Sequence, residues 1–206
     1  MTESDGNDLA WAGVVATHLR EGASVRLAAI HACTPAIVQA ARAIVTTLRH
    51  GGKVVFCGNG GSAADAQHLA AELVGRYLRE RDALAAIALT TDTSILTAIG
   101  NDYGYGAVFE RQVRALVGKV DTLVAISTSG RSESVFRAVE AANAIGAVTI
   151  AMTGSAESPV GTAAMIAIRV PSTATPFIQE THIAIGHVMC GLVEGSDAAD
   201  LPTAIV

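Results

Sequence analysis

Residues 54–62 read VVFCGNGGS, a short apolar run that leads directly into a loop of glycine, asparagine and serine. An apolar run of this length, without strict alternation, is typical of a strand that is buried on both faces of a parallel sheet. Ligands of such sheets bind at the carboxyl ends of the strands, where loops lead into helices. The stretch therefore predicts a central strand, a ligand-binding loop and a helix that follows it.

Four more apolar runs of strand length follow, and helical patterns separate them. The predicted strands are Val54–Cys57, Ala85–Leu89, Thr122–Ile126, Val148–Met152 and Ile166–Val170. The predicted helices are Ala63–Leu78, Thr93–Ile99 with Val108–Val117, Val135–Ile145 and Pro176–Glu194. This order predicts an α/β fold of three layers, in which helices flank a five-stranded parallel sheet.

The ends of the chain complete a single predicted domain over residues 1–206. Periodic apolar residues predict two amphipathic helices, Leu9–Ile30 and Pro35–Arg49, within an N-terminal region of residues 9–50. The α/β core is expected over residues 53–194. The tail, residues 195–206, has little pattern and is expected to be weakly ordered.

The composition excludes several classes of protein. The net charge of −5 argues against a nucleic-acid binder, which normally has a basic face. Apolar runs such as Ala83–Leu89 are shorter than the 20 or so residues that span a bilayer, so we expect no membrane segment.

The three separated cysteines favour reduced thiols and a cytoplasmic protein. A charged fraction of only 16% suggests that apolar surface is covered by another copy of the chain.

A second loop of unusual composition follows the third predicted strand, where residues 127–132 read STSGRS. Hydroxyls and free backbone N–H groups at the start of a helix can donate several hydrogen bonds to one phosphate. Serine and glycine also cap helices and form turns, and for one loop that interpretation would be preferred. Two such loops on separate strands of one sheet make phosphate binding the better interpretation.

A dinucleotide-binding site is an alternative interpretation of the first loop. Gly58, Gly60 and Ala63 fit a loose form of the fingerprint, and Asp92 follows the next predicted strand. The usual interval from the fingerprint to the acidic residue is about 20 residues, and Asp92 comes later than that. The hydroxyl-rich second loop would also have no role in such a site.

Two helices carry polar residues that suit acid–base or metal chemistry. His68 and Glu72 are four residues apart, and so lie on one helical face. Gln179 and His187 are eight residues apart on the last helix, about 80° around its axis, and can border one cleft. For each of these residues alone, a solvated or hydrogen-bonded side chain without a catalytic role is the preferred interpretation. The combination beside a phosphate loop favours a catalytic interpretation.

Taken in order, these motifs resemble the phosphoheptose isomerases of the SIS-domain family. The blocks that carry the resemblance are residues 58–62 and 65–68 with Glu72, residues 75–77, 88–94, 100–104 and 127–132, and Gln179-Glu180 with His182 and His187. The resemblance implies a flavodoxin-like SIS fold and a homotetramer with active sites at the subunit interfaces. It implies conversion of D-sedoheptulose 7-phosphate to D-glycero-D-manno-heptose 7-phosphate through an enediol, as the first step towards activated heptose. It also implies one Zn²⁺ ion per active site.

The resemblance further assigns roles to individual positions. Glu72 and His187 would be the catalytic pair, and His68, Glu72, Gln179 and His187 would bind zinc. The expected substrate-binding residues are Asn59, Gly60, Gly61, Ser62, Glu72, Arg76, Asn101, Asp102, Ser127, Thr128, Ser129, Ser132 and Gln179.

The sequence leaves alternatives for the role of the metal and for the function. Zinc could be loosely held and give up a ligand to substrate, or could polarise the substrate oxygens as a Lewis acid. Some relatives have an acidic residue just before the Gln179-Glu180 pair, where this chain has residues 175–177, Thr-Pro-Phe. The alternative function is a non-catalytic SIS protein, either a sugar-phosphate-binding regulator or an adaptor for a replication initiator. An isomerase of a different sugar phosphate is a nearer alternative.

Overall fold

The computed structural model describes the backbone of residues 3–197 and the side chains of residues 7–196. Of the predicted tail, residues 195–197 form a short 3₁₀ turn, and the rest lies outside the described residues. The expectation of weak order there stays a prediction.

A parallel sheet of five strands forms the centre of the fold, in the order β2-β1-β3-β4-β5. The strands are β1 (Val54–Gly58), β2 (Ala86–Ala88), β3 (Thr122–Ile126), β4 (Val148–Thr153) and β5 (Ile166–Arg169). β1 and β3 are buried along their whole length, as their apolar runs predict. The predicted fold class is confirmed.

Helices cover both faces of the sheet. They are α1 (Glu3–Arg49), α2 (Gly61–Val74), α3 (Thr93–Tyr103), α4 (Val108–Leu116), α5 (Glu133–Ile145), α6 (Pro159–Ala163) and α7 (Thr175–Glu194), with a 3₁₀ turn at Tyr105–Ala107. Val54 and Phe56 of β1 point into a core shared with α1, α2 and α7. Val55 and Cys57 point to the other face, into a core shared with α4 and α5. The alternation of side chains along each strand thus fills both cores.

The prediction of two N-terminal helices is wrong, because α1 runs unbroken for 47 residues with Pro35 inside it. A proline within a helix loses one backbone hydrogen bond and costs about 3 kcal/mol. Here the buried residues Ala29, Cys33, Ile37 and Ala40 continue one apolar stripe across the proline. Burial of that stripe against α7 and β5 offsets the local cost, so the helix continues.

The helix after the first loop also ends earlier than predicted, at Val74 rather than Leu78. Gly75 follows at the C-cap and donates its N–H to the Ala71 carbonyl. The Arg81 side chain folds back and donates to the carbonyls of Glu72 and Leu73. These donors satisfy the last carbonyls of α2, and no further helical turn is needed.

Within the described residues, one helix is long and apolar enough to cross a membrane by length and composition alone, Asn7–Arg49 of α1. Core helices of globular proteins pass the same test, and the second half of α1 packs against α7 and β5. The first half exposes large apolar side chains instead, including Leu9, Trp11, Val14 and Leu19, each 63–68% exposed. The absence of a membrane segment stays a prediction.

Candidate active site

The first loop connects β1 to α2 in a conformation that leaves backbone donors available. Gly60 adopts a φ of 56°, in the region that L-residues rarely occupy, and so reverses the chain within one residue. Gly60 is also the N-cap of α2, and no side chain caps this helix. The Ser62 and Ala63 N–H groups donate to the carbonyls of Asn59 and Gly60 at 3.0 Å, which leaves the Gly61 N–H at the helix start, where the dipole favours an anion.

The second loop, residues 127–132, has the same character. Its turn is closed by Gly130, whose φ is 63° and whose N–H donates to the Ser127 carbonyl at 3.0 Å. Ser132 is the N-cap of α5, but its hydroxyl does not cap the helix. Two uncapped helix starts therefore face the same end of the sheet.

Asn59 joins the two loops. Its Nδ2 donates to the hydroxyl oxygens of Ser132 at 2.7 Å and Ser134 at 3.0 Å. The Tyr105 hydroxyl donates to Asn59 Oδ1 at 2.8 Å, which fixes the orientation of the amide. Ser132 Oγ accepts from Asn59 and also lies 3.3 Å from Ser134 Oγ, a contact in which either hydroxyl can donate.

A small cavity of about 150 Å³ lies between the loops. Its walls are Asn59, Ser62, Ser127, Thr128, Ser129 and Ser132, with Ile126 behind them. Apart from Ile126, each of these residues is one that the sequence predicts to bind substrate. The cavity offers hydroxyls, an amide and two helix starts, which suits a phosphate group.

The predicted acid–base residues form a second cluster on α2 and α7. His68 Nε2 lies 2.9 Å from His187 Nε2 and 3.1 Å from Glu72 Oε1. His68 is exposed, whereas Glu72 and His187 are partly buried. The sequence placed these residues on two helices, and the fold brings the helices together as expected.

The donor set of this cluster fits a zinc ion. One ligand atom from each of the three residues lies within 4.8 Å of the others. Tetrahedral zinc with bonds of about 2.0–2.1 Å separates its ligand atoms by about 3.3 Å, close to the distances seen here. Two imidazole nitrogens and a carboxylate are also ordinary zinc ligands. The residues present therefore suit the metal that the resemblance implies.

The Gln179 side chain lies against Gly61, the first residue of α2. A Cβ atom placed on Gly61 would clash with Gln179 Nε2. Glycine at position 61 thus makes room for the amide. The contact connects α7 to the phosphate loop at a residue that the sequence assigns to substrate or zinc.

Three other predicted substrate-binding residues lie apart from both clusters. Arg76 follows the C-cap of α2 and pairs loosely with Glu80 at 3.6 Å. Asn101 and Asp102 are exposed on the last turn of α3, where the Asn101 amide donates to the Asp102 carboxylate. Their roles stay predictions.

His182, which the sequence left ambiguous, is a core residue. It is fully buried, and its Nε2 lies 3.2 Å from the Thr153 carbonyl. Burial lowers the pKa of His182 to about 4, so the imidazole is neutral at physiological pH. It belongs to the hydrophobic core rather than to the acid–base cluster.

Three residues of the site were not selected from the sequence. Tyr77 stacks on His187, with ring centroids 5.3 Å apart and planes 16° from parallel. Tyr105 and Ser134 bond to Asn59 from outside the two loops. Tyr77 lies within a block that carries the family resemblance, which is the signal that could have identified it.

Comparison with known proteins agrees with the geometry. A family model described as the SIS domain matches residues 18–154. The phosphoheptose isomerase of Rhodospirillum rubrum is 58% identical over 162 residues, which cover 79% of this chain and 86% of that protein. That of Aquifex aeolicus is 55% identical over 85% of this chain and 92% of that protein.

Among solved structures, the phosphoheptose isomerase of Neisseria gonorrhoeae superposes with a TM-score of 0.85 at 44% identity. The superposition covers 90% of this chain and 99% of that one. The high identity, the nearly complete coverage and the shared fold agree. The chain belongs to the SIS-domain family and, within it, to the phosphoheptose isomerases.

Proposed function

We propose that the chain is an aldose–ketose isomerase that converts D-sedoheptulose 7-phosphate to D-glycero-D-manno-heptose 7-phosphate. One observation carries the proposal: a single helix, α2, starts at the phosphate cavity and presents His68 and Glu72 further along. Ser62 and His68 are separated by about 9 Å of helical rise. The substrate is therefore elongated, with its phosphate at one end and its reacting carbons at the other.

The residues divide the reaction between them. Isomerisation moves a proton between C1 and C2 through an enediol, and needs one group for the carbon-bound proton and another for the oxygens. In this proposal the Glu72 carboxylate takes and returns the carbon-bound proton. His187 serves the oxygens with its imidazole. The phosphate loops fix the distant end, and so hold the reacting carbons against both groups.

Zinc completes the proposed site, held by His68, Glu72, His187 and Gln179, one ion per active site. When bound, it supplies Lewis-acid polarisation of the substrate oxygens. Because the core already closes around five strands, a strong chelator should remove the metal without unfolding the chain. Elemental analysis, thermal melting and gel filtration before and after chelation test this. Unfolding on chelation would make the metal structural instead.

We also propose a homotetramer with active sites at subunit interfaces. Exposed apolar side chains on the first half of α1 support association, since large exposed apolar patches usually mark interfaces. An interface site would give a role to Asn101 and Asp102, which lie apart from both clusters in one chain. Replacement of Trp11 and Val14 by serine should reduce the mass measured by light scattering. The three buried free cysteines suit the cytoplasm, where we place the enzyme.

The deciding experiment is incubation with D-sedoheptulose 7-phosphate and detection of the aldoheptose product by chromatography. Shorter ketose phosphates assayed in parallel distinguish the nearer alternative, an isomerase of another sugar phosphate. The Glu72→Gln variant is the matched control for turnover, because the amide keeps the shape and loses the basic oxygen. A wild-type protein that binds the sugar phosphate without turning it over would favour the regulator or adaptor instead.

A further inference from the structure

The C-terminal end of α7 carries an unusual carboxylate. Glu194 is the last residue of the helix and its side chain is only 1% exposed. A negative charge at a helix C-terminus is unfavourable, because the helix dipole is negative there. Burial adds a desolvation cost. A carboxylate in this position therefore needs strong compensation, and its partners indicate what it does.

Those partners are three consecutive backbone N–H groups in the segment after α2. Tyr77, Leu78 and Arg79 donate to the Glu194 carboxylate at 2.6, 2.9 and 3.2 Å. Burial by itself would raise the pKa of Glu194, but these hydrogen bonds lower it below its ordinary value, so the group is ionised. The carboxylate thus fixes a segment that has no helix or strand to hold it.

Arg81 completes the arrangement from the same segment. Its Nε lies 3.3 Å from Glu194 Oε1 in a largely buried ion pair. Its two terminal nitrogens donate to the carbonyls of Glu72 and Leu73 at 2.8 Å and of Gly75 at 3.2 Å. The guanidinium therefore closes the last turn of α2, which is the turn that carries Glu72.

Tyr77 connects this arrangement to the acid–base cluster. Its backbone is held by Glu194, and its ring lies parallel to the His187 imidazole, centroids 5.3 Å apart. The ring also lies over Gly191, where a Cβ atom would be 3.5 Å from it. One face of His187 is thus covered by a ring whose position depends on Glu194.

We propose that Glu194 and Arg81 are positioning residues for the isomerase site, which set Tyr77 against His187 and fix the turn of α2 that carries Glu72. The proposal rests on the proposed function, but neither residue touches substrate in it. Both act through neighbours, Glu194 through Tyr77 and Arg81 through the α2 carbonyls. The pair joins the two helices that supply the catalytic groups.

The test compares Tyr77→Leu, Tyr77→Phe and Glu194→Gln in the full-length protein. Loss of the ring should lower kcat between about 10- and 100-fold, because misplacing a catalytic group by an ångström costs up to that factor. KM should stay within about twofold, since the phosphate cavity is unchanged. Tyr77→Phe should restore most of the kcat that leucine removes, since phenylalanine keeps the stacked ring.

A double-mutant cycle separates positioning from general stability. If Glu194 acts through Tyr77, Glu194→Gln should add little to the loss of kcat already caused by Tyr77→Leu. Asp121→Asn is the matched control. Asp121 is also a buried carboxylate held by backbone N–H groups and a cation, but it lies at the opposite end of β3 from the phosphate loop. That variant should lower Tm and leave kcat near wild type.

A second measurement does not depend on turnover. Diethyl pyrocarbonate carbethoxylates accessible imidazoles, and peptide mass spectrometry reports the rate at His187. Tyr77→Leu and Glu194→Gln should both raise that rate several-fold, and Tyr77→Phe should not. Wild-type protein without isomerase activity would refute the proposed function alone, and the labelling rates would still test the positioning pair. Wild-type kcat in Tyr77→Leu, or labelling unchanged by Glu194→Gln, would overturn the positioning proposal.

Discussion

Replacement of Gly61 by alanine tests whether Gln179 belongs to the reacting centre. The new Cβ atom would clash with Gln179 Nε2 and would lie 2.6 Å from its Cδ and 2.7 Å from its Oε1. Cβ atoms essentially never approach another heavy atom within 3.0 Å, so the amide must retreat by about an ångström. All three contacts are to the end of one flexible side chain. The side chain can move while the backbone stays in place.

The expected result is a loss of activity without a loss of stability. A shift of about 1 Å in a catalytic or positioning group can lower kcat about a hundredfold. Alanine is a better helix former than glycine by up to about 1 kcal/mol, so Tm should hold or rise slightly. The assay is steady-state turnover of D-sedoheptulose 7-phosphate beside differential scanning fluorimetry.

The neighbouring glycine supplies the comparison. A Cβ on Gly60 would meet nothing within 4 Å, but its φ of 56° is unfavourable for alanine. Such strain lowers the free energy of unfolding by about 1–3 kcal/mol. For a chain of this size, each kcal/mol lowers Tm by about 2–4 °C. Gly60→Ala should therefore destabilise where Gly61→Ala does not. Wild-type turnover in Gly61→Ala would refute the reasoning, because Gln179 would then have moved without consequence.

Three further predictions concern other parts of the molecule. Glu72→Gln and His187→Ala should each lower kcat at least about a hundredfold with Tm nearly unchanged, and near-wild-type turnover in either would remove that residue from the catalytic pair. Ser132→Ala should raise KM more than it lowers kcat, since its hydroxyl faces a phosphate that does not react; the reverse pattern in steady-state kinetics would contradict a binding role. Burial by itself would raise the pKa of Asp121, but hydrogen bonds from backbone N–H groups and the Lys53 ammonium lower it. Stability from this pair is thus complete above the unfolded pKa of about 3.9 and is lost as pH falls further, so Asp121→Asn should weaken the acid dependence of unfolding measured in urea.

The sheet could be predicted from the sequence because its signals are local. The strands are largely apolar runs, and the two central ones, β1 and β3, are buried along their whole length, as such runs predict. The positions of the two loops could be predicted for the same reason, since Asn59 follows β1 directly and Ser132 ends the loop that follows β3. What local pattern could not give was the bond between those two side chains, 73 residues apart.

Where sequence signals for a helix boundary conflict with tertiary contacts, the tertiary contacts decide where the helix ends. Pro35 reads as a helix boundary, yet α1 continues through it because the buried stripe of Cys33 and Ile37 packs without interruption. The segment after α2 shows the opposite case. Its helical pattern reaches Leu78, but the Leu78 N–H donates to Glu194, more than a hundred residues away, instead of to a helical carbonyl. Gly75 is a local signal for the end of α2, whereas the contact with Glu194 has no signal within a window of a few residues.

The arrangement gives α2 a role at each of its ends and along its length. Its uncapped first turn borders the phosphate cavity, its middle carries His68 and Glu72, and its last carbonyls are held by Arg81. In the proposed function, α2 therefore takes part in both phosphate binding and proton transfer, together with the loop of residues 127–132 and His187 of α7. A phosphate drawn into the cavity places the far end of its own chain at a distance fixed by helical rise. If the proposed function and the proposed positioning by Arg81 and Glu194 are correct, this distance contributes to discrimination between sugar phosphates of different length.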